Sequence, residues 1–392
     1  MSDDSRTVLW IDAHLEFRSP TMRHLLHSLP VLRAEGWKVK AWCLRSDAPP
    51  DQVEHVFFPA PRWLGPLELL YFALLVNLYG MWRWLLRKPR PAAIIHATCG
   101  TYLGADITSV HFLNCVWARE QVRLGFTRWQ DIVIYPAVLI AAVAELLQWR
   151  SPSLKLALAV SDSVGGEVRR RAKPRLRVET LPNSYDETRF NLAARATHRD
   201  AMRAELGYAP DAIVFCFVST GHYGRKGFWL AVEALSNVRV ALPGKDVRLL
   251  VVGGTAPTVE ELRKRALERF PDSARWILFA GMQPAVEKYF AAADGFLFPS
   301  YFEAFCLAEI EAAACGLPLL LTPHHGSEMI LRDGENGRLL SFDPVVMSGQ
   351  IAEYIRKGLP NSNPGPGRGI NRAEYATRLA RIYAGQLALG RT

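Results

Sequence analysis

The chain has 392 residues and a formal net charge of +9, with 49% hydrophobic and 22% charged residues. That length exceeds one ordinary core and suits two domains, and the composition excludes a disordered or low-complexity chain. The positive balance suits phosphate-bearing ligands, an anionic membrane surface or nucleic acid, and solvated basic faces are an equal alternative.

In chain order, TVLWIDA reads as a strand, MRHLLHSLPVLRAEG as a helix ending at Gly36, and WKVKAWCL as a strand. The apolar stretch LLYFALLVNLYGMW (69–82) falls short of the roughly 20 residues a spanning helix needs. Its flank combines Trp82, Arg83, Trp84, Arg87, Lys88 and Arg90, which suits a helix lying in the membrane interface. A core helix with an exposed basic end is the alternative. A second stretch, IVIYPAVLIAAVA (132–144), is expected to be core.

AAIIHATC, ITSVHFL and LKLALAVS complete a first set of strands alternating with helices. The pattern restarts after LPNSYDETRF with AIVFCFVSTG, VRLLVVGG, WILFAG, GFLFPS and LPLLLT. Strands alternating with helices predict βαβ units and parallel sheets, so the fold class is α/β with two Rossmann-like domains. NSNPGPGRG (361–369) separates off a final helix, AEYATRLARIYAGQLAL. The expected division is 1–183, 184–365, and a C-terminal helix in 366–392 that returns to the first domain. In open parallel sheets ligands bind at the carboxyl ends of strands, and two such domains facing one another predict a deep cleft.

The six cysteines, Cys43, Cys99, Cys115, Cys216, Cys306 and Cys315, form no C-x-x-C pair and lie near no His at metal spacing. That suits a reducing, cytoplasmic setting, and the acidic start MSDDSRTVLWID is unlike a secretory signal.

The stretch SYFEAFCLAEIEAAACGLP (300–318) sets three carboxylates among small and apolar residues. Burying an unpaired carboxylate is costly, so Glu303, Glu309 and Glu311 need a reason. A helix beginning near Phe305, Cys306 and Leu307 offers unpaired N–H groups and a positive dipole end to a phosphate. Glu303 precedes that helix and Glu311 lies about two turns inside it, roughly 12 Å away. An N-terminal dipole contact and a buried ion pair are the plain reading. In STGHYGRKGFW (219–229), a Gly-rich turn after a strand brings Arg225 and Lys226 to bear. Two such cations suit a diphosphate leaving group.

PSYFEAFCLAEIEAAACGLPLLLT, continuing to GSEMILRDGENGRLL, resembles the donor site of family 4 retaining glycosyltransferases of the GT-B fold. Their E-x7-E motif falls on Glu303 and Glu311, and the likeness is densest from about 178 to 342. The resemblance implies a donor domain at 184–365 and an acceptor-side domain at 1–183. It implies that Glu303 contacts the donor sugar and that Glu311 accepts hydrogen bonds from the ribose, with Glu309 facing solvent or a basic neighbour. Lys226 matches the family lysine of the first loop. His222 stands where an arginine is usual, so Arg225 supplies that charge. His111, in TSVHFLN, is placed beside the donor sugar, and His96, ending the previous strand, is a second acceptor-side candidate.

Gly221, Gly253, Gly281 and Met282 are expected to line the nucleotide site. The first strand-to-helix loop has Ser19, Pro20 and Thr21 where the family has a Gly-Gly pair, so Ser19 and Thr21 are acceptor-side candidates and phosphate contact there is reduced. Ala304 and Cys306 also stand at frequent glycine positions. EVRRRAKPRLR either meets phosphate-bearing groups or is a solvated face.

The implied reaction is metal-independent transfer of a hexose from a nucleotide diphosphate sugar, with retention by front-face attack. The departing phosphate helps to deprotonate the acceptor hydroxyl. The implied acceptor is a glycan or lipid-linked molecule of cell-surface polysaccharide or lipopolysaccharide-core biosynthesis, met at the inner face of the cell membrane. No cofactor, metal or nucleic acid is implied. The alternative is a catalytically quiet nucleotide-sugar-binding subunit of a glycan assembly complex.

Overall fold

The computed structural model describes residues 6–125, 129–358 and 365–389, and these form two compact units. Residues 1–5, and 361–364 of the proline-rich stretch, lie outside the described residues. One unit comprises residues up to Ser184 together with the segment from Ile370; the other runs from Tyr185 to Gly369.

The first unit holds a seven-stranded sheet of β1 (Thr7–Ile11), β2 (Lys38–Cys43), β3 (Val53–Phe57), β4 (Ile94–Thr98), β5 (Ile107–Val110), β6 (Leu156–Ala159) and β7 (Arg177–Thr180). Its order is β3-β2-β1-β4-β5-β6-β7, and every pairing is parallel. The central strands are buried on both faces, which is why they read as unbroken apolar runs. The edge strands β3 and β7 are only partly buried, and their half-polar sequences hid them from the reading of apolar runs. Helices α1 (Arg23–Ala34), α2 (Glu68–Leu85), α3 (Asn114–Leu124), α4 (Trp129–Arg150) and α5 (Asp162–Arg171) follow strands of this sheet.

The C-terminal helix, Arg372–Leu389, packs on α1 within the same unit. Tyr375, Leu379, Ala380 and Tyr383 of that helix share one buried cluster with Trp10, Leu29 and Trp37.

The expectation for the second apolar stretch fails. The stretch 132–144 is not core: it lies in α4, whose exposed residues Ile132, Val133, Pro136, Leu139, Ile140, Val143 and Leu147 form a single stripe at helical spacing. Among the described residues of α4, the opposite face, with Ala142, Glu145, Gln148 and Trp149, is the buried one. Residues 132–150 are long and apolar enough to cross a membrane by length and composition.

The second unit holds β8 (Ile213–Val218), β9 (Val247–Val252), β10 (Ile277–Gly281), β11 (Gly295–Phe298), β12 (Leu319–Leu321) and β13 (Gly337–Leu339). Its six strands are parallel in the order β10-β9-β8-β11-β12-β13. Helices α6 (Leu192–Glu205), α7 (Phe228–Ala241), α8 (Ala256–Arg269), α9 (Val286–Ala292) and α10 (Leu307–Ala314) complete the layers used below. Arg203 of α6 bonds the Ala292 and Ala212 carbonyls and Asp294, which ties α6 to the sheet. In both sheets the strand order reverses beside the first strand of the unit, between β1 and β4 and between β8 and β11. That switch point is where open α/β sheets bind ligands.

Candidate functional site

In the second unit the two loops flanking the switch are 219–227 after β8 and 299–306 after β11. They are joined along their backbones: the Arg225 carbonyl accepts from Tyr301 N at 2.9 Å and from Ser300 Oγ at 3.3 Å. Gly227 has φ +73, and a Cβ there would lie 1.8 Å from the Pro299 carbonyl oxygen. Only glycine permits that approach.

The consequence is that Arg225 Nη2 lies 3.8 Å and Lys226 Nζ 3.9 Å from one oxygen of Glu303. All three side chains are mostly buried, at 17%, 17% and 12% exposure. Lys226 also sits 5.4 Å from the centroid of Phe298. Three of the residues predicted from sequence therefore converge. Two cations held at one carboxylate, but not in hydrogen-bond contact with it, can also meet an anionic ligand.

Glu303 leads into α10, whose N-cap Cys306 provides no side-chain acceptor to the first amides. Phe305 and Cys306 are buried, as is Ala304, and Leu307 and Glu311 are half-buried. Burial and nearby Glu309 push the Cys306 thiol well above its ordinary pKa, so it stays neutral.

Glu309 does not face solvent. It has no exposure, and its Oε1 lies 2.8 Å from His324 Nε2, likewise unexposed. Burial raises the Glu309 carboxyl pKa. Burial alone would lower that of His324, but the Glu309 carboxylate outweighs it and the imidazole is raised. The pair joins α10 to the segment 322–326. There Gly326, at φ +92, approaches the Ala304 carbonyl so closely that a Cβ would sit 2.9 Å from it. Sequence reading missed His324 because the HH dipeptide of TPHHGS has no periodic signal.

Of the glycines predicted to line the nucleotide, Gly253 has another duty: a Cβ there would lie 2.1 Å from the Ser219 carbonyl oxygen. Its φ of +103 lets the ends of β8 and β9 close together. Around Gly221 and Gly281 a Cβ would meet nothing within 4 Å. Met282 is 55% exposed. His222 occupies the left-handed region at φ +55, which histidine tolerates better than most side chains.

In the first unit, Thr98 at the end of β4 donates to Asp12 beyond β1, across the switch point. Asp12 Oδ1 also accepts from His14 N at 2.8 Å, and burial raises the Asp12 pKa. His14 Nε2 lies 3.0 Å from Glu68 Oε2, which Arg45 reaches at 2.7 Å. Neither Asp12 nor His14 was singled out from sequence, although each follows an apolar strand at its carboxyl end. Ser19 and Thr21 bond each other at 3.0 Å, and Ser19 Oγ accepts from Met22 N. The loop lacking Gly-Gly thus uses its hydroxyls to start α1.

Asp12, His14, Ser19, Thr21 and His111 line a cavity of about 400 Å³. His111 follows β5, and burial lowers its pKa to about 4, so it is neutral at pH 7.

His96 is corrected. It is 2% exposed and lies within the core. Trp10 Nε1 donates to the Tyr383 hydroxyl at 2.9 Å. That hydroxyl also lies 2.6 Å from His96 Nδ1, and His96 Nε2 lies 2.7 Å from Ser109 Oγ. Burial lowers its pKa to about 3. Both ring nitrogens are used, so nothing remains for an acceptor. In the basic run 167–177, Arg170 and Arg171 pair with Glu167, and Arg169 bonds the Val178 carbonyl.

Two parallel α/β units are the architecture of the GT-B class of fold, to which solved structures similar to this chain belong. Residues 212–357 match the family described as "Glycosyl transferases group 1", and the second unit is a group 1 glycosyltransferase domain. A D-inositol 3-phosphate glycosyltransferase of Nocardia farcinica is 29% identical over 261 residues, covering 60% of this chain and 55% of that protein. The match spans between 36% and 56% of the length of curated relatives of this kind.

Among solved structures, the sucrose-phosphate synthase of Thermosynechococcus elongatus superposes with a TM-score of 0.71. It is 18% identical, over 98% of this chain and 100% of that one. WaaG, a glycosyltransferase involved in lipopolysaccharide biosynthesis, gives 0.65 at 21% identity, over 95% of each chain. These likenesses show the fold.

Proposed function

We propose that this protein is a retaining, metal-independent glycosyltransferase that moves a hexose from a nucleotide diphosphate sugar to a glycan or lipid-linked acceptor. The observation that carries the reading is the convergence of Arg225 and Lys226 on Glu303 at the switch point of a group 1 domain. The two cations stabilise the diphosphate as it departs, and Glu303 holds the sugar hydroxyls near the reacting carbon. Glu311 reads the ribose. In the first unit the neutral imidazole of His111 is assigned to the donor sugar, and the hydroxyls of Ser19 and Thr21 to the acceptor. The acceptor belongs to cell-surface polysaccharide or lipopolysaccharide-core synthesis, and the protein works in the cytoplasm, peripheral on the inner membrane face through residues 69–90.

The test is a panel of UDP, GDP and ADP sugars scored by thermal shift and by slow donor hydrolysis. One donor is expected to stabilise the protein and be hydrolysed, with hydrolysis lost in Glu303→Ala. A panel in which no donor shifts melting refutes the donor site. Binding that survives with no transfer or hydrolysis favours a nucleotide-sugar-binding subunit instead.

A further inference from the structure

The first unit leaves two apolar helix faces uncovered, and they are neighbours. In α2, Leu67 just before the helix, then Leu74, Leu78, Met81 and Leu85, follow one another at helical spacing and are all exposed. In α4 the exposed stripe from Ile132 to Leu147 is entirely apolar. The two helices contact each other within the unit. Scattered exposed leucines are ordinary, but two adjoining stripes of this length make a continuous patch.

Charge and aromatic placement indicate what covers that patch. Trp84 is 75% exposed, and Lys88 stacks over Trp82 at 4.3 Å. Arg87 and Lys88 are exposed just past the end of α2, and Arg150 is exposed at the end of α4. Aliphatic stripes bordered by tryptophan and basic residues match the boundary of an anionic bilayer, where the ring sits at headgroup depth and the cations meet phosphate.

The contacts of α4 suit a helix that lies on such a surface and does not cross it. The inner face of α4 is committed to the protein: Glu145 accepts from Cys115 N at 2.8 Å, and Gln148 accepts from Gly100 N at 2.8 Å and from Thr108 at 2.9 Å. Removing α4 from the sheet would strand these groups in hydrocarbon.

The same helices wall the cavity of the first unit. Leu69, Leu70 and Ala73 come from α2, and Ala141 and Ala144 from α4, and Asp12 and His14 line the same cavity. We propose that α2 and α4 together dock the first unit on an anionic lipid bilayer, with the cavity opening between them toward the lipid. Resting on the transferase reading above, this makes the acceptor an amphipathic molecule whose polar head enters the cavity while its hydrocarbon stays in the bilayer.

The experiment is flotation of the full chain with phosphatidylglycerol vesicles, with phosphatidylcholine vesicles and high salt as comparisons. Binding is expected to phosphatidylglycerol and to weaken in salt. Ile140→Glu/Val143→Glu on α4, and separately Leu74→Glu/Leu78→Glu on α2, are each expected to reduce the floated fraction by about tenfold or more, with melting unchanged because these positions are exposed. A Leu69→Trp variant reports on the cavity mouth: its added emission is quenched by vesicles with brominated acyl chains.

Flotation of the α4 variant at the wild-type level overturns the two-helix face, as does absence of wild-type flotation. A wild-type dimer that the variants merely convert to monomer overturns it in favour of self-association. Unquenched Leu69→Trp emission overturns the placement of the cavity mouth. Flotation needs no nucleotide sugar, so donor titration read alongside fails only if the transferase reading fails.

Discussion

The Nε2 of His324 lies 2.8 Å from Oε1 of Glu309, and neither side chain reaches solvent. The pair fastens α10, which carries Glu311 and follows Glu303, to the segment whose Gly326 packs against Ala304 and Phe305. Removing one partner leaves the other buried alone, which costs about 3 kcal/mol or more. Glu309→Leu and His324→Phe are each expected to lower the melting temperature by many degrees. The double substitution should cost less than the sum of the two, a coupling that unfolding curves of all four proteins would measure. Donor affinity should fall in the single variants, because the pair holds the loop of Glu303.

Arg225 and Lys226 are predicted to act on the leaving group. Arg225→Ala and Lys226→Ala should each lower kcat for donor cleavage by about 10²-fold or more, with smaller changes in KM. Steady-state kinetics checks this. A change in KM alone would reassign the two cations to ground-state binding.

Gly227 and Gly221 belong to one loop but should respond differently. Gly227→Ala places a Cβ against the Pro299 carbonyl at positive φ, so the join between the two ligand loops must open. It is expected to lose activity and at least about 2 kcal/mol of stability. Gly221→Ala meets open space and is expected to fold normally, and any loss there reports on ligand contact.

His96 predicts a pH dependence. Burial lowers its folded pKa to about 3, against an ordinary value of 6.5. The unfolded chain therefore binds the extra proton first. The group's contribution to stability is intact above pH 6.5 and is lost as pH falls from 6.5 toward 3, by up to about 1.4 kcal/mol per pH unit. Glu145, raised by burial to about 7, pulls the opposite way as pH rises from its ordinary value of 4.5. The measurement is thus the difference between wild type and His96→Gln in denaturant unfolding. That difference should shrink steadily as pH drops from 6.5 to 4.

The strands buried on both faces were legible because they must be apolar at every position. AIVFCFVSTG and VRLLVVGG became β8 and β9 within a few residues of their apolar runs. Edge strands such as Arg177–Thr180 were not, because one polar face removes the run without supplying a long alternation. Glu303 was legible through the resemblance that its flanking residues carry, and Arg225 and Lys226 as cations in a Gly-rich turn after a strand; the parallel sheet then brings the two loops together at one end.

The sequence determined by itself the α/β class and the restart after the first sheet, which follow from local periodicity, and it singled out the three residues that meet at the second switch point with the help of a family resemblance. Only the tertiary structure decided the burial of particular side chains. His96 looked like a strand-end ligand until Tyr383, nearly 300 residues later, took its Nδ1. Residues 132–144 looked like core until the packing of Glu145 and Gln148 turned their apolar stripe outward. Burial depends on which distant segment covers a face, and no local pattern contains that information.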